Sequence, residues 1–198
     1  MAITYGASAP TSAPDRRWRT RDIVITAVIG VAFGVVFWAW GLVWNGPLDI
    51  LSSVALPVRD LGYAVWLIPA VLGPLVIRKP GAAIFAELVA AGVSALLGST
   101  WGIDTLVSGL AQGAGAEIVF AATGYRRWTM PVLVLAALGS AAAAWIHDWI
   151  VWYAAIDPGI QIARGVFMAI SAVVIVAGGS LALHRSLKRA GVLEGFPD

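Results

Sequence analysis

Cysteine is absent from this 198-residue chain, which removes disulfides and thiolate chemistry at once. Charge is scarce: Asp, Glu, Lys and Arg make up 12% of the residues, against 60% hydrophobic ones. A soluble domain of this size needs far more charge to cover its surface. Histidine occurs twice, which with no cysteine leaves little for a transition-metal site. Signatures of chemistry are missing too. There is no phosphate-binding glycine loop with lysine, so the chain does not hydrolyse ATP itself. There is no HExxH pair and no GxSxG elbow, which weighs against an intramembrane hydrolase. No inverted repeat of the secondary-transporter kind is visible. No catalytic residue, metal or cofactor is expected, and the net charge of +2 makes no case for nucleic acid.

What remains is apolar sequence in long runs. A bilayer crossing needs about 20 residues, and six stretches qualify: 22–44, 61–77, 81–98, 104–123, 129–153 and 162–184. The expectation is an all-α integral membrane protein, a bundle of six transmembrane helices. Residues 1–21 read as a flexible cytoplasmic tail, and 22–198 as one transmembrane substrate-binding domain with an outer loop at 45–62. With six spans, Arg16, Arg17, Arg19, Arg21, Arg78, Lys79, Arg126, Arg127, Arg185, Lys188 and Arg189 share one side. Only Arg59 and Arg164 fall opposite. The positive-inside rule then places both termini in the cytoplasm.

Ionisable groups within spans are costly, and their default reading is functional. Glu87, Glu117 and His147 are the three that matter, with Gln112 beside them. Counting from the inner ends at 1.5 Å per residue puts both glutamates about 10 Å deep. Each also has a structural reading, in which the carboxyl or amide ties neighbouring helices together. Gly109, Gly113 and Glu117 form one stripe in "GLAQGAGAEIVF", either a packing groove or a pocket wall. Thr26, Gly30 and Gly34 form a second small-residue stripe, suited to docking a helix of this chain or of a partner subunit.

Ten tryptophans are heavy use, and most belong to the outer half. Trp38 and Trp66 lie too deep for an interfacial belt. Aromatic faces attract cations and stack on flat rings. Outer aromatics with buried acids point to a pocket for a small, flat, cationic ligand.

The segments "GAAIFAELVAAGVSALLGSTWG" (81–102), "GLAQGAGAEIVFAATGY" (109–125) and "LKRAGVLEGF" (187–196) carry a family likeness. On these the chain resembles the substrate-binding S-component of an energy-coupling factor (ECF) transporter, of the YkoE-like thiamine and hydroxymethylpyrimidine group. The resemblance implies a specificity subunit without covalent chemistry. It captures thiamine or its pyrimidine precursor outside, and works with a membrane coupling protein and two cytosolic ATPases. It also implies site roles. Glu87, Gln112 and Glu117 supply polar contacts, Trp101, Trp66 and Trp38 stack on the rings, and His147 and Tyr153 stand near the mouth. Thr26, Gly30 and Gly34 occupy the place of a partner-docking face. An S-component for another small ligand, a membrane enzyme using Glu87, Glu117 and His147, and a structural subunit are the competing expectations.

Overall fold

Helix begins where the arginine-rich segment ends. The computed structural model describes residues 16–196; the first fifteen residues of the expected tail, and the last two of the chain, lie outside them. Helix α1 (Thr20–Asn45) opens with Asp22, whose carboxylate accepts from the Arg19 N–H at 2.9 Å and complements the helix dipole. Its Val24, Val28, Val31 and Val35 are exposed, as a lipid-facing stripe requires.

The segment expected as an outer loop is helical: α2 spans Pro47–Arg59. Pro47 occupies the first turn, where its missing N–H costs nothing, and Asp49 joins it there. The helix kinks at Ala55 (φ −153°, ψ 79°), two residues before Pro57. The chain then descends through a 3₁₀ stretch, Asp60–Leu67, into α3 (Ile68–Ile77). Next come α4 (Ala82–Leu96), α5 (Asp104–Ala122) and α6 (Met130–Val151). The last span is α7 (Pro158–Ser171), a π-helical stretch (Ala172–Ala177) and α8 (Gly178–Arg189) in continuous succession. Among the described residues five helical stretches are long and apolar enough to cross a membrane, and α4 is a shorter apolar helix packed among them. The protein is a multi-pass membrane bundle of six spans.

Small residues decide how closely these helices approach. The Thr26–Gly30–Gly34 stripe packs on α4 of the same chain. A Cβ at Gly30 would lie 2.6 Å from Val89 Cβ, and one at Gly34 would meet Val93 and, at 2.8 Å, the Ala90 carbonyl. Thr26 is fully buried and its hydroxyl donates to the Asp22 carbonyl of its own helix. The stripe is therefore occupied within the chain, by α4. Gly109 and Gly113 bring α5 onto α4 in the same way, against Ala91 and the Ile84 backbone. Gly115 and Gly139 pack backbone to backbone where α5 crosses α6.

At that crossing each added side chain meets the opposite main chain, which a rotamer change cannot relieve. Gly115→Val is expected to cost roughly 1–3 kcal/mol of stability. Thermal unfolding of the purified protein in detergent checks this, and a midpoint equal to wild type contradicts the close approach.

Candidate functional site

One cavity, about 620 Å³ counting the open space at its mouth, lies at the end of the bundle away from Arg78 and Lys79. Three sets of residues build it. From α4 come Glu87, Ala91 and Ser94; from α5 come Asp104, Ser108 and Gln112, spaced every four residues and so on one helix face. The remaining walls are rings: Phe37 and Trp44 of α1, Tyr63 and Trp66 of the 3₁₀ stretch, Trp101 of the α4–α5 turn, and Trp152 and Tyr153 after α6.

The aromatic wall holds itself in place edge to face. Trp66 meets Trp44, Tyr63 and Trp101 at centroid distances of 4.8, 5.3 and 5.4 Å, with interplanar angles of 68–85°. Such pairs add to simple burial. Cations sit against two of the rings. Arg59 lies 4.2 Å over Trp44 and is paired with Asp49 at 2.7 Å. Arg164 lies 3.6 Å over Tyr153 and forks onto Asp60 at 2.8 and 3.1 Å. That fork is buried on both sides, so it pins α7 to the 3₁₀ stretch with its charges compensated. Burial holds the Tyr153 phenol above its usual range, so it stays neutral.

At the cavity floor Glu87 is fully buried. The Gln112 amide has complementary partners when its nitrogen faces Glu87 Oε1 (3.2 Å) and the Trp66 carbonyl (3.0 Å), with its oxygen accepting from Ser108 Oγ (2.8 Å). Glu87 Oε2 has no hydrogen-bond partner among the described residues. A buried carboxylate oxygen without a donor is expensive, and this one lines a cavity.

Glu117 stands elsewhere. Oε1 accepts from the Gly81 N–H (2.6 Å) and the Tyr125 hydroxyl (2.7 Å), and Oε2 accepts from the Ala83 N–H (3.0 Å). Those N–H groups belong to the open first turn of α4, which lacks a cap of its own. Gly81 takes φ 85° to present its N–H, a conformation glycine adopts without strain. Burial and the adjoining carboxylate together hold the Tyr125 phenol above its usual range, which keeps it a donor. Glu117 is thus the cap of α4 and lies outside the cavity lining.

Of the residues singled out in the sequence, the fold brings Glu87, Gln112, Trp66, Trp101 and Tyr153 to one cavity. Trp38 lines a smaller, separate pocket with Gly41, Gly98 and Thr100 instead. His147 is just behind the lining, with Nε2 3.1 Å from Asp104 Oδ1 and Nδ1 3.1 Å from Asp148 Oδ1. Sequence reasoning missed Asp104 and Trp44 as lining residues, and left Asp148 and Trp152 unassigned. The signal for Asp104 was available: it shares the i, i+4, i+8 face with Ser108 and Gln112.

Fold and cavity define a class: a membrane-embedded bundle that encloses space for a small organic molecule between aromatic walls and carboxylates. The comparisons with known proteins narrow this. Residues 21–144 match the family described as ABC-type cobalt transport system, permease component. A Bacillus subtilis (strain 168) protein named as an HMP/thiamine permease protein, YkoE, is 37% identical over 183 residues, covering 91% of this chain and 90% of that protein. A solved structure titled as the crystal structure of an S-component of ECF transporter matches with a TM-score of 0.84 at 38% identity, over 90% of each chain. The chain belongs to this family of transport-system permease components, and its fold is that of an S-component.

The two glutamates differ in what they hold. Glu117→Gln weakens charge-assisted bonds to a helix terminus, and is expected to cost roughly 1–3 kcal/mol of stability. Glu87→Gln is expected to cost less, since one of its oxygens bonds nothing in the protein. Unfolding midpoints of the two variants check the order, and the reverse order contradicts these assignments.

Proposed function

We propose that this chain is the substrate-binding subunit of an ECF importer, and that its ligand is of the thiamine class: thiamine or its hydroxymethylpyrimidine precursor. The observation that carries the ligand reading is Glu87 Oε2, buried, unpartnered and lining a cavity walled by tryptophans. An aminopyrimidine is flat, and its amino group and ring nitrogens form an edge that both donates and accepts. Glu87 supplies the acceptor, Gln112 and Ser108 fix that acceptor in place, and Trp66 and Trp101 offer faces for the ring. The relative named for HMP and thiamine supports the same class.

The family description names cobalt, but the lining favours an organic ligand. Among the described residues no group of three His, Asp or Glu side chains is placed to hold a metal ion; the two His147 nitrogens are taken by Asp104 and Asp148, and seven aromatic side chains line the cavity.

The direction of uptake follows from charge. The cationic end, with Arg78, Lys79, Arg126 and Arg127, is placed in the cytoplasm, so the mouth beside Asp104, Trp152 and Tyr153 faces outward and captures ligand there. The chain has no nucleotide-binding loop. A membrane coupling protein with two cytosolic ATPases supplies the energy in this scheme. Since Gly30 and Gly34 are consumed against α4, that partner docks on another surface.

Binding to the purified protein tests the ligand reading through its own tryptophans. Thiamine is expected to quench their fluorescence saturably with Kd below about 1 μM, and riboflavin or biotin is expected to leave it unchanged. Glu87→Gln should raise the Kd about tenfold or more. Absence of any response to thiamine and to hydroxymethylpyrimidine, from folded protein, overturns the reading.

A further inference from the structure

The end of the bundle opposite the cavity holds more positive charge than the described residues there balance. All of the 13 Lys and Arg residues except Arg59 and Arg164 belong to it. Its described carboxylates are Asp22, Glu117 and Glu194, and the first two are engaged. Asp22 is buried beside Arg21 (3.6 Å) and Lys79 (3.7 Å). Glu117 is taken by the first turn of α4 and by the Tyr125 hydroxyl. Glu194 stands in the C-terminal turn beside Gly191. Near Arg78, α8 brings only His184 with Arg185 and Lys188 about it, and so adds no negative charge.

One turn concentrates this excess. The α5–α6 connection reads Gly124, Tyr125, Arg126, Arg127, Trp128, Thr129. Gly124 and Tyr125 are both left-handed (φ 63° and 56°), a conformation that costs a residue with a Cβ. It returns the Tyr125 hydroxyl to Glu117, and Arg16 braces the turn by donating to the Gly124 carbonyl at 3.0 Å. Arg126 and Arg127 are exposed, and neither side chain has a partner among the described residues. Trp128 follows, half-buried and stacked on Phe120 at 5.1 Å, with the Arg78 guanidinium 5.6 Å from its ring centroid. Met130, where α6 enters the apolar part of the bundle, is exposed.

We infer that this turn binds the headgroup of an anionic phospholipid. Arg126 and Arg127 pair with the headgroup phosphate, which suits the guanidinium fork, and Trp128 and Met130 meet the start of the acyl chains. Basic residues at the membrane edge of a helix bundle recognise anionic headgroups in this way. A free anion would use the arginines alone; the fixed indole and the exposed methionine beside them favour a molecule with an apolar part. Two free cations, a braced turn and an aromatic anchor distinguish this site from the general positive charge of the same end. Bound lipid supplies the counter-charge that the described residues lack and stabilises the folded chain by mass action.

Native mass spectrometry of the full-length protein in detergent, titrated with phosphatidylglycerol or with phosphatidylcholine of the same acyl chains, tests the site. Wild type is expected to bind phosphatidylglycerol about tenfold more tightly. Arg126→Gln with Arg127→Gln should remove most of that preference, at about fivefold per arginine. Arg185→Gln with Arg189→Gln takes the same charge from the same end, and should alter the preference less than about twofold. All four side chains are exposed, so both variants are expected to fold. Equal binding of the two lipids by wild type overturns the inference. An equal loss in the two double variants also overturns it, since the attraction is then diffuse. Displacement of phosphatidylglycerol by inorganic phosphate would assign the arginines to a free anion instead. Should wild type show no lipid preference while Arg126→Gln with Arg127→Gln abolishes assembly with the coupling protein and ATPases, the surface belongs to an acidic protein face and the lipid site is refuted.

Discussion

A carboxylate buried among helices needs donors, and the close crossing of α4 and α5 decides which of two glutamates finds them within the protein. Gly109 and Gly113 let the α5 backbone approach α4 near Ala91 and Ile84. Glu117, one turn further along the same stripe, then reaches the free N–H groups that open α4. The terminus of a short helix buried among others gains its cap from a neighbour, which offsets the cost of a carboxylate at that depth. The same crossing sets Gln112 opposite Glu87. Structural and binding carboxylates are thus two outcomes of one packing geometry, distinguished by whether backbone donors or cavity space face the oxygen.

Tryptophan does two jobs at the other end. Several indole N–H groups close gaps between elements: Trp40 donates to the Gly62 carbonyl, Trp145 to the Gln161 carbonyl, and Trp152 to Asp104. The ring faces of Trp44, Trp66 and Trp101 are left to wall the cavity. Rigid rings placed edge to face lose little freedom when a flat ligand enters, so the wall is preorganised. The buried Arg164–Asp60 fork adds a charged tie from α7 to the stretch that carries Tyr63 and Trp66. Truncating either partner would leave the other charge buried and unpaired.

Much of the fold was legible because hydropathy is a direct physical readout of the bilayer. The six stretches read from composition agree with the helices to within a few residues, except that the second span is 3₁₀ down to Leu67 and the last extends from Pro158 to Arg189. The helix in the expected outer loop went unread, although Pro47 and Asp49 are an ordinary helix start. Within the site, Glu87, Gln112, Trp66 and Trp101 were visible because polar groups and large rings at membrane depth need a reason. Spacing revealed the Thr26–Gly30–Gly34 and Gly109–Gly113–Glu117 stripes but not what they face. Both face α4. Asp104 was passed over, and Asp148 left without a role, because a carboxylate near an interface is cheap and carries little signal by itself. Only the fold shows that both line one cavity and meet at His147.

The central claim is that one cavity, running from Asp104 to Glu87, holds a thiamine-class ligand in a single orientation. A structure of the purified protein with thiamine bound tests it most directly. The account predicts the aminopyrimidine within hydrogen-bonding distance of Glu87, flanked by Trp66 and Trp101. Thiamine found outside this cavity, or lying with its thiazolium against Glu87, would contradict it.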